Sequence, residues 1–339
     1  MKKNEGYKKC PYKQQGKQFT NPYLANPRRK LIDFFLWQLG YYNDQKKPRK
    51  KPKTFSFPNK NEKSSAQKPQ ITWVNHSTFL VEIGGIRLLT DPIWSKRCSP
   101  FNFIGPKRQH EHGVKIDQLP NVDIVLISHD HYDHLDKKTV LYLMSRFPKI
   151  LWVVPLGLKK WFQKRGASNI IELSWWESSA SHQLNFPKIS LKVTAVPTQH
   201  FSGRGIFKKN RTLWVGYVIE FITKEKELKR LYFVGDTGYN DEDFKAIGKT
   251  FKKMDLSLIP IGAYVPKKFM SPVHIGPSKA VQIHQEVHSH LSLGMHWKTF
   301  HLSEEGVEQP PYDLYCELRN KRIDPKTFRV INIGQTINW

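Results

Sequence analysis

The sequence lacks any long hydrophobic run and contains little cysteine. No stretch of about 18 apolar residues could cross a bilayer, and no apolar segment with a small-residue cleavage site follows Met1. The three cysteines, Cys10, Cys98 and Cys316, form none of the close pairs typical of zinc ribbons or redox motifs. These absences predict a cytoplasmic protein in a reducing compartment, either free or bound peripherally to a membrane.

Acidic residues are also scarce. The chain has 29 Asp+Glu against 55 Lys+Arg, and its formal net charge is +26. Residues 1–70 hold 18 Lys+Arg and 4 Asp+Glu, which puts +14 of that charge in the first fifth of the chain. A positive field of this size attracts polyanions or anionic membrane surfaces, although a lysine-rich composition can also serve solubility alone.

The composition changes near residue 70 and predicts two parts. Residues 1–70 form a basic N-terminal extension rich in Lys, Pro, Gln, Asn and Ser, and residues 71–339 form the folded domain that holds every candidate catalytic residue. Within the extension, residues 31–42 (LIDFFLWQLGYY) predict a short helix with one apolar face. Its basic flanks suit a helix on an anionic membrane surface, and capping of the core or of a partner subunit is the equal alternative.

From residue 71 onward, short apolar strands predominate. Gly84-Gly85 predicts a tight hairpin turn, and later strands alternate with helices, such as those predicted over 138–147 and 278–288. The last predicted strand covers 329–333. This order predicts an α/β (α+β) fold with two mixed sheets flanked by helices, rather than a doubly wound parallel sheet.

A dense group of possible metal ligands follows one of these strands. Residues 124–136 read IVLISHDHYDHLD, so an apolar strand leads directly into three histidines and two aspartates within the six residues 129–134. In an extended segment His129 and His131 point to the same side and can bind one ion together. Asp133 and His134 follow where a helix begins and can bind a second ion. Imidazole and carboxylate groups are the ligands that zinc takes in hydrolytic sites.

Further ligands should come from other strand ends at the same sheet edge. Three residues meet this condition, because His200 follows LKVTAVPTQ, Asp236 follows LYFVG and His296 follows LSLGM. Asp236 is the natural bridge, since one carboxylate can bind two cations. His200 would complete the first ion and His296 the second. His76, in the NHST turn, either orients a ligand or supports the fold.

The residues also resemble a known family. HDHYDH is an instance of the His-x-His-x-Asp-His signature of metallo-β-lactamase-fold hydrolases. Other stretches between residues 72 and 300, including TQHFSGRG, FVGDTGY and GMHWKTF, are similar to the N-acylphosphatidylethanolamine-hydrolysing phospholipase D family and its bacterial members. The resemblance implies an αββα sandwich with a dinuclear zinc site along one edge and a homodimer. It also implies seven zinc ligands, namely His129, His131, Asp133, His134, His200, Asp236 and His296.

The resemblance and the residues together suggest further roles. Tyr132 and His274 fall on motif positions that face the substrate in that family, while Val273 replaces a glutamine of the mammalian enzymes. Arg204 has the planar fork that suits a phosphate, or it holds its own loop together. We expect Asp133, Asp236 and His274 to act in catalysis, with Asp133 or a metal-bound water handling the proton.

The predicted function is zinc-dependent hydrolysis of a phospholipid of the N-acylphosphatidylethanolamine type to phosphatidic acid and a freed headgroup. Iron or manganese in place of zinc remains open. A metal-dependent nuclease or nucleotide phosphodiesterase is the first alternative, because the chain is basic. Nucleic acid ranks below a lipid surface, since the basic excess is concentrated in the extension. A lactone or ester hydrolase is a further alternative, and a non-enzymatic binding protein is disfavoured because all seven ligands are present.

Overall fold

The structure is a computed structural model that describes residues 13–24, 51–58, 64–65, 67–179, 186, 189–204, 209–223 and 227–339. The helix predicted over 31–42 lies outside the described residues. Within them, no helix is both long and apolar enough to span a membrane.

The strands fall into one small hairpin and two large sheets. In chain order they are β1 (Lys13–Gln15), β2 (Gln18–Thr20), β3 (Gln70–Asn75), β4 (Thr78–Ile83), β5 (Ile86–Thr90), β6 (Ile124–Leu126), β7 (Leu151–Pro155), β8 (Ile170–Leu173), β9 (Ile189–Pro197), β10 (Val215–Thr223), β11 (Leu228–Phe233), β12 (Met254–Pro260), β13 (Ser289–Met295), β14 (Phe328–Arg329) and β15 (Thr336–Asn338). The helices are α1 (Lys137–Arg146), α2 (Lys159–Gln163), α3 (Asp243–Phe251), α4 (Lys267–Met270), α5 (Pro277–Glu286) and α6 (Gln309–Asn320), with a 3₁₀ turn at Ile116–Gln118.

Both large sheets are mixed. The first has the order β15-β3-β4-β5-β6-β7-β8, and the second has the order β14-β13-β12-β11-β10-β9. In the first sheet, β15, β3, β4 and β5 are antiparallel and the strands from β5 to β8 are parallel. In the second, β9, β10 and β11 are antiparallel and the strands from β11 to β14 are parallel. The prediction of two mixed sheets with flanking helices is therefore confirmed.

Alternating side chains place the first sheet between two apolar layers. In β6, Ile124 and Leu126 join the main core, which also contains residues of the second sheet such as Tyr217, whereas Val125 joins the cluster formed with Val140 of α1. The two-residue period of a strand produces this division, since successive side chains point to opposite faces. The layers are therefore helix, sheet, sheet and helix, the order of an αββα sandwich.

The helices predicted over 138–147 and 278–288 and the glycine turn are confirmed, the helices with shifts of one or two residues at their ends. Gly84 and Gly85 have φ values of 59° and 82°, as a two-residue hairpin turn with left-handed central residues requires. The strand predicted over 329–333 is wrong for most of its length, because β14 ends at Arg329. The chain then turns at Gly334, which has φ 80° and donates its N–H to the Trp73 carbonyl, so that β15 pairs with the other sheet.

Parts of the N-terminal segment pack on the folded domain. Phe19 and Phe57 are buried within the main core. The Phe55 ring lies 5.0 Å from the Tyr312 ring, and the Asn21 amide donates to the His200 carbonyl at 2.7 Å. The domain boundary at residue 70 stays a prediction, and these segments contact the domain despite their polar composition.

Candidate metal centre

Five strands deliver ionisable side chains to one edge of the sandwich. Asp91 follows β5, the segment 128–134 follows β6, and the remaining side chains follow β9, β11 and β13. The seven predicted ligands all lie at this edge, and their ring nitrogens and carboxylate oxygens form overlapping groups. Residues far apart in sequence meet here because both sheets present their strand ends to the same side.

The first donor group contains only imidazoles and is called here the three-histidine group. It consists of His129, His131 and His200, whose donor atoms lie within 4.8 Å of one another. His131 Nδ1 lies 2.8 Å from His129 Nε2 and 3.2 Å from His200 Nε2. Zinc–nitrogen bonds of 2.0–2.1 Å in a tetrahedron place neighbouring donors about 3.3 Å apart, so these spacings fit one cation.

The second donor group is called here the Asp133 group and consists of Asp133, His134 and His296. Asp133 Oδ2 lies 3.3 Å from His134 Nε2 and 3.5 Å from His296 Nε2. His76 Nε2 lies 3.1 Å from the same oxygen. His76 thus contacts a predicted ligand directly, and its four-residue cluster with the Asp133 group could itself hold an ion.

Asp236 lies between the two groups. Its Oδ2 is 3.1 Å from His296 Nε2, 3.2 Å from His134 Nε2 and 3.7 Å from His200 Nε2. One carboxylate oxygen therefore faces donors of both groups. From the sequence we expect a bridge through the two oxygens of this carboxylate, and the bridging role stays a prediction.

The burial of these donors fits a bound cation. His134, His200, His296 and Asp236 are each at most 3% exposed. Among the described residues, Asp236 Oδ1 has no hydrogen-bond partner, and His134 Nε2 and His296 Nε2 contact the carboxylates of Asp133 and Asp236 without forming a hydrogen bond of suitable geometry. Buried polar atoms left unpaired cost free energy, and a cation at this edge would satisfy the nitrogen donors that point into it.

The pKa shifts of His129, His200 and Asp236 favour the protonation states that bind metal, whereas the raised pKa values of His134 and His296 favour a proton in the place of a cation. Burial lowers the pKa of His129 and His200 well below the ordinary range, so these rings are neutral and present lone pairs. Burial alone would raise the pKa of Asp236, but His134 and His296 hold it well below its usual range. Against the effect of burial, the neighbouring carboxylates raise the pKa of His296 to about 9. A cation would replace that proton.

Sequence reasoning missed Asp91, a fully buried residue that orients ligands in both groups. Its Oδ2 accepts from His134 Nδ1 at 2.6 Å and from the Ser128 hydroxyl at 2.5 Å, and its Oδ1 accepts from the Ser128 N–H at 2.7 Å. The Ser128 hydroxyl in turn accepts from His129 Nδ1 at 2.9 Å. These bonds fix both rings with Nε2 facing the site. The available signal was an aspartate directly after the strand IRLLT.

A backbone carbonyl orients the third imidazole. His200 Nδ1 donates to the Val273 carbonyl at 2.8 Å, which leaves Nε2 for the site. The side chain at position 273 takes no part in this bond. The replacement of glutamine by valine therefore leaves the bond that orients His200 intact.

The predicted substrate residues lie in different surroundings. His274 Nδ1 lies 3.9 Å from Asp236 Oδ2, and its side chain is 13% exposed, so it lies at the mouth of the site. Tyr132 packs against Ile93, Cys98 and Phe300 beside the Asp133 group. Both positions adjoin the predicted ligands, and their roles towards a substrate stay predictions.

Arg204 contacts the loop that carries the ligands. Its Nε donates to the Asp130 carbonyl at 2.6 Å, its Nη2 donates to the Leu135 carbonyl, and its guanidinium lies 4.5 Å from the centre of the Tyr132 ring. These bonds join the two ends of the segment 130–135. These contacts are those expected for the second role considered for Arg204, which is to hold its own loop together.

The chain is similar to known proteins in sequence and in fold. A family profile described as the beta-lactamase superfamily domain matches residues 86–297. The chain is 39% identical to N-acyl-phosphatidylethanolamine-hydrolyzing phospholipase D 1 of Caenorhabditis elegans over 78% of this chain and 74% of that protein. It is 35% identical to the mitochondrial N-acyl-phosphatidylethanolamine-hydrolyzing phospholipase D of Saccharomyces cerevisiae over 70% of this chain and 49% of that protein.

A solved structure shares the fold at low sequence identity. The isothiocyanate hydrolase from Delia radicum gut bacteria aligns with 80% of this chain and 99% of its own, with a TM-score of 0.59 and 17% identity. The fold and the clustered histidines and aspartates define a metal-dependent hydrolase of the metallo-β-lactamase fold. Within this class, the chain belongs to the family of N-acylphosphatidylethanolamine-hydrolysing phospholipases D.

Proposed function

We propose that the chain hydrolyses the phosphodiester bond of an N-acylphosphatidylethanolamine and releases phosphatidic acid and an N-acylethanolamine. The observation that carries this proposal is the position of Asp236, whose Oδ2 lies within 3.7 Å of donors from both groups. Two adjacent cations at one carboxylate suit the in-line displacement of a phosphodiester. The worm and yeast relatives are N-acyl-phosphatidylethanolamine-hydrolyzing phospholipases D, and they supply the substrate class of this proposal.

Two zinc ions are the cofactor that the donor set fits best. Imidazoles with one or two carboxylates are a common zinc environment, although iron and manganese accept the same donors. When bound, two such ions supply a water of lowered pKa and neutralise charge on the phosphoryl oxygens. The three-histidine group and the Asp133 group would each hold one ion, with Asp236 shared between them.

The side chains around the ions have distinct tasks in this proposal. Burial alone would raise the pKa of Asp133, but its imidazole neighbours hold that pKa well below the usual range, so the carboxylate is ionised. Its side chain is 14% exposed, and in this proposal either Asp133 or a water handles the proton at the mouth of the site. Asp236 fixes the separation of the two donor groups. His274 and Tyr132 orient the phosphate and its headgroup. Arg204 keeps the ligand loop in place, or contacts a phosphate oxygen as its chemistry also permits.

Two further properties belong to the same proposal. The basic N-terminal extension would hold the protein at an anionic membrane surface as a peripheral protein of the cytoplasm, because its charge complements acidic headgroups. The active form would be a homodimer. Sedimentation velocity of the purified chain, with and without anionic vesicles, tests both.

A product screen paired with metal analysis tests the function. The purified protein is incubated with vesicles that contain N-acylphosphatidylethanolamine, phosphatidylethanolamine or phosphatidylcholine, and separately with DNA, RNA and a lactone panel. We expect phosphatidic acid and an N-acylethanolamine from the first lipid, with two zinc ions per chain by elemental analysis. Turnover of nucleic acid or lactones alone would favour the other hydrolase classes and contradict the proposal.

A further inference from the structure

A short β-like arm projects beside the metal centre. Arg97 and Lys107 form an antiparallel bridge, the Cys98 N–H donates to the Pro106 carbonyl at 3.2 Å, and the Arg108 N–H donates to the Lys96 carbonyl at 2.8 Å. Residues 96–108, called here the arm, therefore have a fixed stem and a tip at 99–105.

The tip of the arm exposes large apolar side chains. Phe101 is 55% exposed, Phe103 is 80% exposed and Ile104 is 58% exposed, and the two phenylalanine rings lie 5.7 Å apart. Single exposed hydrophobic residues are normal on protein surfaces. Three within four consecutive positions form a contiguous apolar patch, and such patches mark interaction sites.

The surroundings of this patch are basic. Residues 92–110 contain no aspartate or glutamate, and Lys96 and Lys107 on the stem are exposed. Lys138, in the first turn of α1, donates to the Asn102 side chain at 2.8 Å. The N-terminus of a helix carries a partial positive charge from the helix dipole. Lys137 and Lys138 add two full positive charges at the same end of α1.

The carboxylate at the start of α1 is not exposed at this surface. Asp136, the N-cap of α1, is 7% exposed. Its oxygens accept from the N–H and hydroxyl of Ser95 and from the hydroxyl of Thr139. The exposed part of the arm and the start of α1 therefore present positive charge to solvent.

The stem of the arm packs against the metal centre. Cys98 forms a small cluster with Ile93 and Phe300, and Tyr132 packs against it. The Phe300 ring lies 5.3 Å from the ring of His76, which contacts Asp133. The exposed tip is thus joined through a few packed side chains to the edge that carries the ligands.

We propose that the arm inserts Phe101, Phe103 and Ile104 into an anionic phospholipid surface and so holds the metal centre against the membrane. The proposal rests on the proposed function, because a phospholipid substrate lies in such a surface. Apolar side chains enter the boundary between headgroups and acyl chains while the flanking lysines meet acidic headgroups. A protein partner fits less well, since three side chains offer much less than the roughly 800 Å² per partner of a stable interface.

Vesicle partition of the full chain tests the insertion. The double variant Phe103→Ser/Ile104→Ser is compared with Ile222→Ser/Leu228→Ser, whose residues are 39% and 41% exposed in the hairpin of β10 and β11. That hairpin end lies at the opposite end of β10 from the strand ends that lead to His200, because Ile222 pairs with Ser190 and Val215 pairs with Pro197. We expect the arm variant to partition at least about tenfold more weakly, and the control variant to partition like the original protein.

Charge variants test the lipid specificity. Lys96→Gln/Lys107→Gln should weaken partition onto phosphatidylcholine vesicles that contain phosphatidylglycerol, and should leave partition onto phosphatidylcholine alone unchanged. Equal partition of the arm variant and the hairpin control would overturn the proposal. So would an arm variant that loses self-association in sedimentation velocity while its vesicle binding stays intact, because the patch would then be a contact between copies.

A kinetic comparison separates this inference from the proposed function. A dispersed short-chain phosphodiester needs no membrane, so Phe103→Ser/Ile104→Ser should turn it over like the original protein while hydrolysing vesicle lipid at least about tenfold more slowly. Loss of both activities would mean that the arm supports the site itself, which contradicts a membrane role. If no phosphodiester is hydrolysed yet partition depends on the arm, the proposed function fails and the membrane contact stands.

Discussion

The two donor groups at the sandwich edge differ in charge and in how they are held. The three-histidine group consists of imidazoles alone, whose pKa values are lowered by burial, and the Asp236 carboxylate lies 3.7 Å from its His200 Nε2. The Asp133 group has a carboxylate of its own, and His134 also donates to the buried Asp91. A divalent cation is bound more tightly where more anionic groups surround it. We therefore expect the two proposed ion sites to differ in affinity.

Removing the shared carboxylate should break both sites at once. Asp236→Ala takes away the one oxygen that faces donors of both groups, so we expect loss of both metal ions and a fall in kcat/KM of at least about 1,000-fold. Elemental analysis and steady-state kinetics measure the two effects. Asp241→Asn is the control, because that carboxylate is 74% exposed and pairs with Lys245 on the surface. Full metal content and turnover in a folded Asp236→Ala protein would contradict the shared role.

The next test compares the two ways in which ligands are oriented. Asp91 holds His134 directly and His129 through Ser128, whereas the backbone carbonyl of Val273 accepts from His200 Nδ1. We expect Asp91→Asn to lower metal affinity by roughly 10- to 100-fold and Val273→Gln to leave it unchanged. Titration with zinc in a chelator buffer measures both affinities. A large loss in Val273→Gln would show that the side chain, and not the carbonyl, matters at that position.

The order of metal release should show the difference in affinity between the two donor groups. During competition with a chelator, we expect the cation of the three-histidine group to leave first, because one fewer carboxylate attracts it. The free-metal concentration at which it is lost should be about tenfold higher than for the cation of the Asp133 group. His200→Ala should then retain only the tightly held ion and His296→Ala only the weakly held one. The metal-to-protein ratio along the titration measures both variants. If the cation of the Asp133 group left first, the expected difference in affinity would be wrong.

The sequence was most informative where the candidate ligands are contiguous. HDHYDH places four donors in one segment, and the strand-end argument added His200, Asp236 and His296 because strands deliver their following residues to one edge. Asp91 was not predicted, because its role depends on a hydrogen bond from His134, which lies 43 positions away in the sequence. The strand predicted over 329–333 was too long, because the apolar residues Val330 and Ile331 are buried in the core without pairing in a sheet. Local pattern gives periodicity and ligand type, while long-range pairing must come from the fold.

A carboxylate outside the site shows what burial does without imidazole neighbours. Asp243, in the first turn of α3, is 5% exposed, and its Oδ2 accepts from the Asn240 amide at 2.7 Å. Burial raises the pKa of Asp243 to about 6, with Glu242 adding to the effect and the Asn240 hydrogen bond opposing it. At the site, burial acts in the same direction on Asp236, and its histidine neighbours reverse the result.

The raised pKa makes a testable contribution to stability. Because the folded state binds the Asp243 proton more tightly than the unfolded chain, the stabilisation is complete below about pH 4 and is lost as the pH rises through about 6. Asparagine mimics the neutral acid, so Asp243→Asn should match the original protein near pH 4 and be more stable at pH 7. Two pKa units correspond to roughly 3 kcal/mol as an upper value. Urea unfolding of both metal-depleted proteins across this range measures the difference, and equal free energies of unfolding at pH 7 would show that Asp243 ionises in the fold as readily as in the unfolded chain.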